Sequence, residues 1–185
     1  MHDLVRSWIV AVLKRHEPLL AIALRQRAKF EGWLKFELAA CAEENGASSV
    51  CVEASSQDQE DSTRSRCDLS FDFEGVRYEV ELKTPNFNWR LPGVGNQARP
   101  VTKNIAGIVA DARKLSAGAN RGLVAFVFFP IPPGDRRWQE YLERISTELA
   151  IPLSPAKHTT QISLPLSATE RADVVVCCFP VKGVQ

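Results

Sequence analysis

C-D-L-S-F-D-F-E-G-V-R-Y-E-V-E-L-K-T, residues Cys67–Thr84, is the stretch on which the fold turns. Leu69, Phe71 and Phe73 alternate with polar residues, and Val76, Tyr78, Val80 and Leu82 alternate again after Glu74-Gly75. A period of two on each side of a glycine-containing turn predicts a β-hairpin. A two-residue loop pairs Phe73 with Val76 and, counted outward, sets Asp68 opposite Glu81. A four-residue loop closing at Asp72 and Arg77 keeps that register, whereas a three-residue loop does not. Directly opposed residues have β-carbons about 4.5–5.5 Å apart, where like charges destabilise. Lys83 shares the face of Glu81 by alternation. Two facing carboxylates with a lysine one diagonal away invite a divalent cation; the alternative is a solvated face of cross-strand ion pairs.

Around the hairpin, the chain reads as one domain over residues 1–185, long enough for a substantial core. Hydrophobic residues at 45% and charged residues at 24% are those of a globular protein. A formal net charge of +1 provides no global basic field, so any nucleic-acid contact must come from a local patch. The five cysteines, Cys41, Cys51, Cys67, Cys177 and Cys178, form no C-x-x-C and are odd in number. That argues against a disulfide framework and a zinc knuckle, and free thiols point to a reducing, cytoplasmic setting. No apolar run reaches the length of a membrane span, and the first residues lack a signal-peptide cleavage pattern. No membrane association is expected.

Residues 3–15 have helical apolar spacing, and a second, long helix is expected from Pro18 to about Asn45, stopped by Gly46. Ser49–Ala54 reads as a strand, and Ser55–Arg66 as an exposed loop without a large apolar side chain. After the hairpin come an irregular loop, Pro85–Pro100, and a helix over Val101–Ala117. Gly122–Pro130 is nearly all apolar, the mark of a strand buried on both faces. A turn at Pro132-Pro133-Gly134, a helix over Asp135–Leu149, a short strand at Gln161–Leu164 and a buried strand at Ala172–Pro180 complete the order. The fold class is therefore α/β, a mixed central β-sheet flanked by helices. Its core lies at about 18–130, with the elements of 135–180 completing the sheet and its cover.

The long helix carries a third carboxylate. At 100° per residue, Phe30, Leu34 and Cys41 fall within about 40° of one another, and Glu37 lies in the same sector. A glutamate inside an apolar stripe is costly unless paired or coordinated. It therefore either bonds a buried arginine or backbone amide, or reaches the hairpin. Glu31 sits nearer the margin of the stripe and Glu43 points away from it, while Glu44 lies in the fraying last turn.

A helix with an inward glutamate, a strand with Asp68 and a strand with Glu81-Leu82-Lys83, in this order, resembles the PD-(D/E)XK nuclease superfamily over roughly residues 30–130. Cys67 stands where the family name has proline. The resemblance implies a restriction-endonuclease-like core of order α-β-β-β-α-β and hydrolysis of phosphodiester bonds, in DNA first and in RNA as the alternative substrate. It implies Asp68, Glu81 and the main-chain carbonyl of Leu82 as ligands of Mg²⁺, with Mn²⁺ able to substitute. Lys83 would orient or deprotonate the attacking water and hold the phosphate, and Glu37 would bind the metal through water or complete a second site. Mg²⁺ suits such a set because it takes oxygen ligands and keeps several waters. Glu79, opposite Ser70 and further from the mouth, reads as structural.

Substrate contacts are expected from Arg90, Gln97 and Arg99 in the loop, and from Lys103 and Lys114 on the following helix, Lys103 near an N-terminus where phosphate is favoured. Phe87 and Trp89 either stack on bases or lid the core or a dimer interface. Many nucleases of this class work as homodimers or within larger complexes, so the resemblance allows either assembly here, and an inactive member acting as a protein- or nucleic-acid-binding module is the competing expectation. His2, His16 and His158 are scattered and suggest neither a zinc site nor a triad.

Overall fold

The computed structural model of the chain describes residues 1–53, 66–87, 89–95 and 101–181. Helices α1 (His2–Arg15), α2 (Glu17–Gln26) and α3 (Glu31–Glu44) precede strands β1 (Ser48–Val52), β2 (Leu69–Phe73) and β3 (Val76–Lys83). Helix α4 (Val101–Ala117), strand β4 (Arg121–Ile131), helices α5 (Trp138–Leu149) and α6 (Pro155–His158), and strands β5 (Thr159–Pro165) and β6 (Arg171–Pro180) follow. The result is a mixed, 6-stranded sheet of order β1-β2-β3-β4-β6-β5. The strands β1, β2 and β3 form an antiparallel meander, α4 crosses over to β4 parallel to β3, and β6 and β5 add antiparallel strands.

Alternation along the strands divides the core in two. Leu69, Phe71, Tyr78, Val80, Leu82, Leu123, Ala125, Val127 and Phe129 bury their side chains against α1, α2 and α3. Val124, Phe126, Phe128, Val175, Cys177 and Phe179 do so against α4 and α5. This two-sided burial is why β4 and β6 lack an alternating pattern. Gly122 lets α4 approach closely: a β-carbon there would lie 2.9 Å from Leu115 Cβ and 2.6 Å from Val181 Cγ2. Among the described residues, no helix is long and apolar enough to cross a membrane.

The hairpin register is the one expected. Phe73 pairs with Val76 and the ladder runs out to Leu69–Val80. Glu74 and Gly75 both have positive φ, 51° and 76°, the backbone of a type I′ turn whose twist matches the strands.

The single long helix expected over residues 18–45 is instead two. Helix α2 ends at Arg27, which adopts the left-handed conformation with φ 51°, and α3 starts after Phe30. Ala28 N–H closes on the Ala23 carbonyl at 2.9 Å. Tertiary contacts hold the break. The Arg27 side chain is buried, donates through Nε to the Gly95 carbonyl at 2.6 Å and through Nη2 to that of Trp89, while Asn86 Nδ2 donates to the Arg27 carbonyl at 2.6 Å. Helix α5 begins three residues later than its expected start at Asp135, because Asp135 is held in the turn by the Arg137 amide at 2.9 Å. Residues 55–65 of the expected exposed loop lie outside the described residues.

Candidate functional site

Five carboxylates and three lysines gather where β3 ends, between α3 on one side of the sheet and α4 on the other. Regular pairing stops at Leu69–Val80, so Asp68 and Glu81 are next in line. Asp68 turns its carboxylate along the β3 edge, and its Oδ2 accepts the Leu82 N–H at 2.8 Å. Its Oδ1 has Lys35 Nζ at 3.9 Å, and Lys35 also holds Glu53 Oε1 at 2.5 Å.

Glu81 is 4% exposed and points to the α4 side. Lys114 Nζ donates to its Oε1 and to the main-chain carbonyl of Arg66. Burial is the main cause that pushes the Glu81 carboxyl up to about 7; Lys114 opposes that rise, while the charges of Asp68 and Asp111 add to it. A folded-state value above the usual 4.5 means that the folded chain holds this proton more tightly than the unfolded one. Stability is then highest below that range and falls as the pH rises towards 7, by up to about 3 kcal/mol. Melting curves from pH 4.5 to 8 should fall more steeply for the wild type than for Glu81→Gln, and parallel curves would refute the assignment.

Lys83 lies between α3 and α4, with Asp111 Oδ2 at 2.7 Å, Glu31 Oε1 at 3.9 Å and the Leu82 carbonyl at 3.4 Å. Burial alone would lower the Lys83 value, but the Asp111 hydrogen bond and the charges of Glu31, Asp111 and Asp68 outweigh it and carry it above the ordinary lysine range. Lys83 is therefore an ammonium at neutral pH. Glu31 Oε2 accepts the Thr84 N–H at 3.2 Å, and burial raises the Glu31 carboxyl.

The structure brings Asp68, Glu81, the Leu82 carbonyl and Lys83 together and leaves Glu37 elsewhere. Glu37 pairs with His16 Nε2 at 3.0 Å, at the junction of α1 and α2. The helix carboxylate at the site is Glu31. Six residues separate the two, which puts them about 9 Å apart along the axis and about 120° apart around it. Lys35 shares the Glu31 face by i, i+4 spacing, and Asp111 shares that of Lys114 by i, i+3. Those spacings were readable in the sequence, but nothing local marked the faces as facing a site.

Of the expected substrate contacts, Arg90 and Lys103 are exposed, Lys114 is engaged with Glu81, and Gln97 and Arg99 lie outside the described residues. Phe87 and Trp89 are buried rather than available to bases. They stack on each other at 4.7 Å between centroids and on Tyr141 at 5.1 and 6.0 Å, and the Arg137 guanidinium covers the Trp89 ring at 4.6 Å. Glu79, paired with Ser70 in the ladder, accepts from Asn120 Nδ2 at 2.8 Å.

The donors here are hard oxygens of the kind Mg²⁺ takes. As the side chains stand, among the described residues no three His, Cys, Asp or Glu groups converge as a metal cluster. The carboxylates are turned onto lysines instead. No family model, curated protein or solved structure matches the chain.

Proposed function

We propose that the chain is a metal-dependent nuclease of the restriction-endonuclease-like, PD-(D/E)XK class, acting on DNA. The observation that carries this reading is the meeting of Asp68, Glu81 and Lys83 at one end of the β2-β3 hairpin, flanked by Glu31 from α3 and Lys114 from α4. The antiparallel meander followed by a crossover helix to a parallel strand supports it, being the element order that the resemblance implies.

Asp68, Glu81 and the carbonyl of Leu82 would hold Mg²⁺. When bound, the ion supplies a Lewis acid for the phosphate oxygen and lowers the pKa of a coordinated water. Lys83, kept protonated by Asp111 and Glu31, places its ammonium against the scissile phosphate and orients the attacking water rather than deprotonating it. Asp111 holds that lysine in place. Glu31, not Glu37, takes the part of the helix glutamate. Glu31→Gln should therefore lower the cleavage rate by about 10–100-fold, the usual cost of losing a group that supports a metal site. Glu37→Gln should leave it unchanged; the reverse ranking would return the role to Glu37.

Plasmid, linear and single-stranded DNA, with RNA alongside, incubated with the protein in Mg²⁺ or Mn²⁺, should show cleavage that EDTA abolishes. Metal-independent cleavage, or none with any substrate, would sink the reading. A non-catalytic binding module is the second reading, favoured by one observation: Glu81, Asp68 and Asp111 each already have a lysine partner. DNA retarded in a gel without any metal-dependent cleavage would decide for it.

A further inference from the structure

Each oxygen assigned to the metal faces an ammonium of the chain itself. Lys114 Nζ lies on Glu81 Oε1, Lys83 Nζ is 3.4 Å from the Leu82 carbonyl and Lys35 Nζ is 3.9 Å from Asp68 Oδ1. The three contacts differ in kind. Lys35 has Glu53 as its nearer partner at 2.5 Å, and Lys83 has Asp111 at 2.7 Å, so both keep a carboxylate if they leave the metal oxygens. Lys114 has Glu81 as its carboxylate, with the Arg66 carbonyl as its second acceptor. The Glu81 side chain is 5% exposed and that of Lys114 is 35% exposed, so the lysine alone of the two has a path to solvent. A buried carboxylate without a counter-charge is strongly destabilising. Without a divalent ion, Lys114 supplies that charge.

We propose that Lys114 is a resident counter-ion of Glu81, which a divalent cation displaces when it binds. The proposal rests on the metal reading above. Two cations compete for one carboxylate, so the lysine weakens metal binding and protects the empty fold by the same contact. Displacement breaks the Lys114–Glu81 hydrogen bond and turns the ammonium outward.

The test is calorimetric titration of Mn²⁺ into the full chain at pH 8 and again at pH 9, because losing Lys114 raises the Glu81 carboxyl and a proton would then compete with the metal, for wild type, Lys114→Met and Lys114→Gln. Both variants should bind Mn²⁺ more tightly by about 5–150-fold, the usual span when one bound group opposes another. Without metal, Lys114→Met should melt below wild type, and saturating Mn²⁺ should raise its melting temperature by more than it raises that of wild type. Lys114→Gln retains a neutral donor for Glu81 and Arg66 and covers the case in which the methionine variant does not fold. Affinity unchanged or weakened in the folded variants, with wild type still binding, overturns the counter-ion and leaves the metal site standing. No binding by wild type or either variant overturns the metal site, and the counter-ion with it.

Discussion

Lys83→Met and Asp68→Asn should each lower metal-dependent DNA cleavage by about 10²–10³-fold, the usual cost of removing one preorganised charge or donor from a transition state. The two substitutions fail for different reasons. Methionine matches the lysine stem in length and apolar character but removes the ammonium that Asp111 holds at 2.7 Å. Asparagine keeps an oxygen for the Leu82 N–H, now accepted by Asp68 Oδ2 at 2.8 Å, and removes only the charge. The β3 edge is thus preserved while the oxygen proposed to hold the metal is weakened. Asp68→Asn should lose Mn²⁺ affinity in calorimetry, whereas Lys83→Met should retain it and lose turnover. Circular dichroism melts would establish that both variants remain folded at the assay temperature. Cleavage undiminished in either folded variant would remove that residue from the proposed chemistry.

The hairpin was legible because its information is local. A period of two on each side of Glu74-Gly75 sets the faces, and positive φ at both turn residues sets the loop length. Strands β4 and β6 were legible from apolar runs alone. The helix carboxylate was not, and the reason is geometric. The stripe containing Leu34, Leu38 and Cys41 identifies the packed face of α3 but not which of its edges meets the strands. Glu31 lies about 20° from Leu38 on one edge, and Glu37 about 100° from it on the other. Helix α1 and the turn at His16 cover the Glu37 edge, leaving Glu31 and Lys35 to meet the hairpin. The break at Arg27 was equally hidden, because its partners, Asn86, Trp89 and Gly95, lie about sixty residues further on. Asp111 and Lys114 look like solvated helix charges until the crossover to β4 brings α4 across Glu81 and Lys83. What the sequence conceals are contacts between elements far apart along it.

Phe129→Ala should be the most damaging single truncation for the framework of the site, costing about 3–5 kcal/mol. In a chain of this size that lowers the melting temperature by about 2–4 °C for each kcal/mol. Phe129 is fully buried, and its ring lies 4.9 Å from that of Phe30, the residue from which α3 starts. Its backbone also extends the sheet beyond Lys83: Phe129 N–H donates to the Pro85 carbonyl at 3.2 Å, and its carbonyl accepts from Phe87 at 2.8 Å. One residue therefore fixes both the start of α3, hence Glu31, and the segment carrying Thr84, whose N–H meets Glu31 Oε2. Phe129→Leu keeps most of the volume and all of the backbone pairing, so it should cost less stability while loosening the Phe30 contact. If Glu31 acts through this clamp, Phe129→Leu should slow cleavage in the wild type but add little in a Glu31→Gln background. Independent, additive effects on the rate would mean that the clamp stabilises the fold without positioning Glu31.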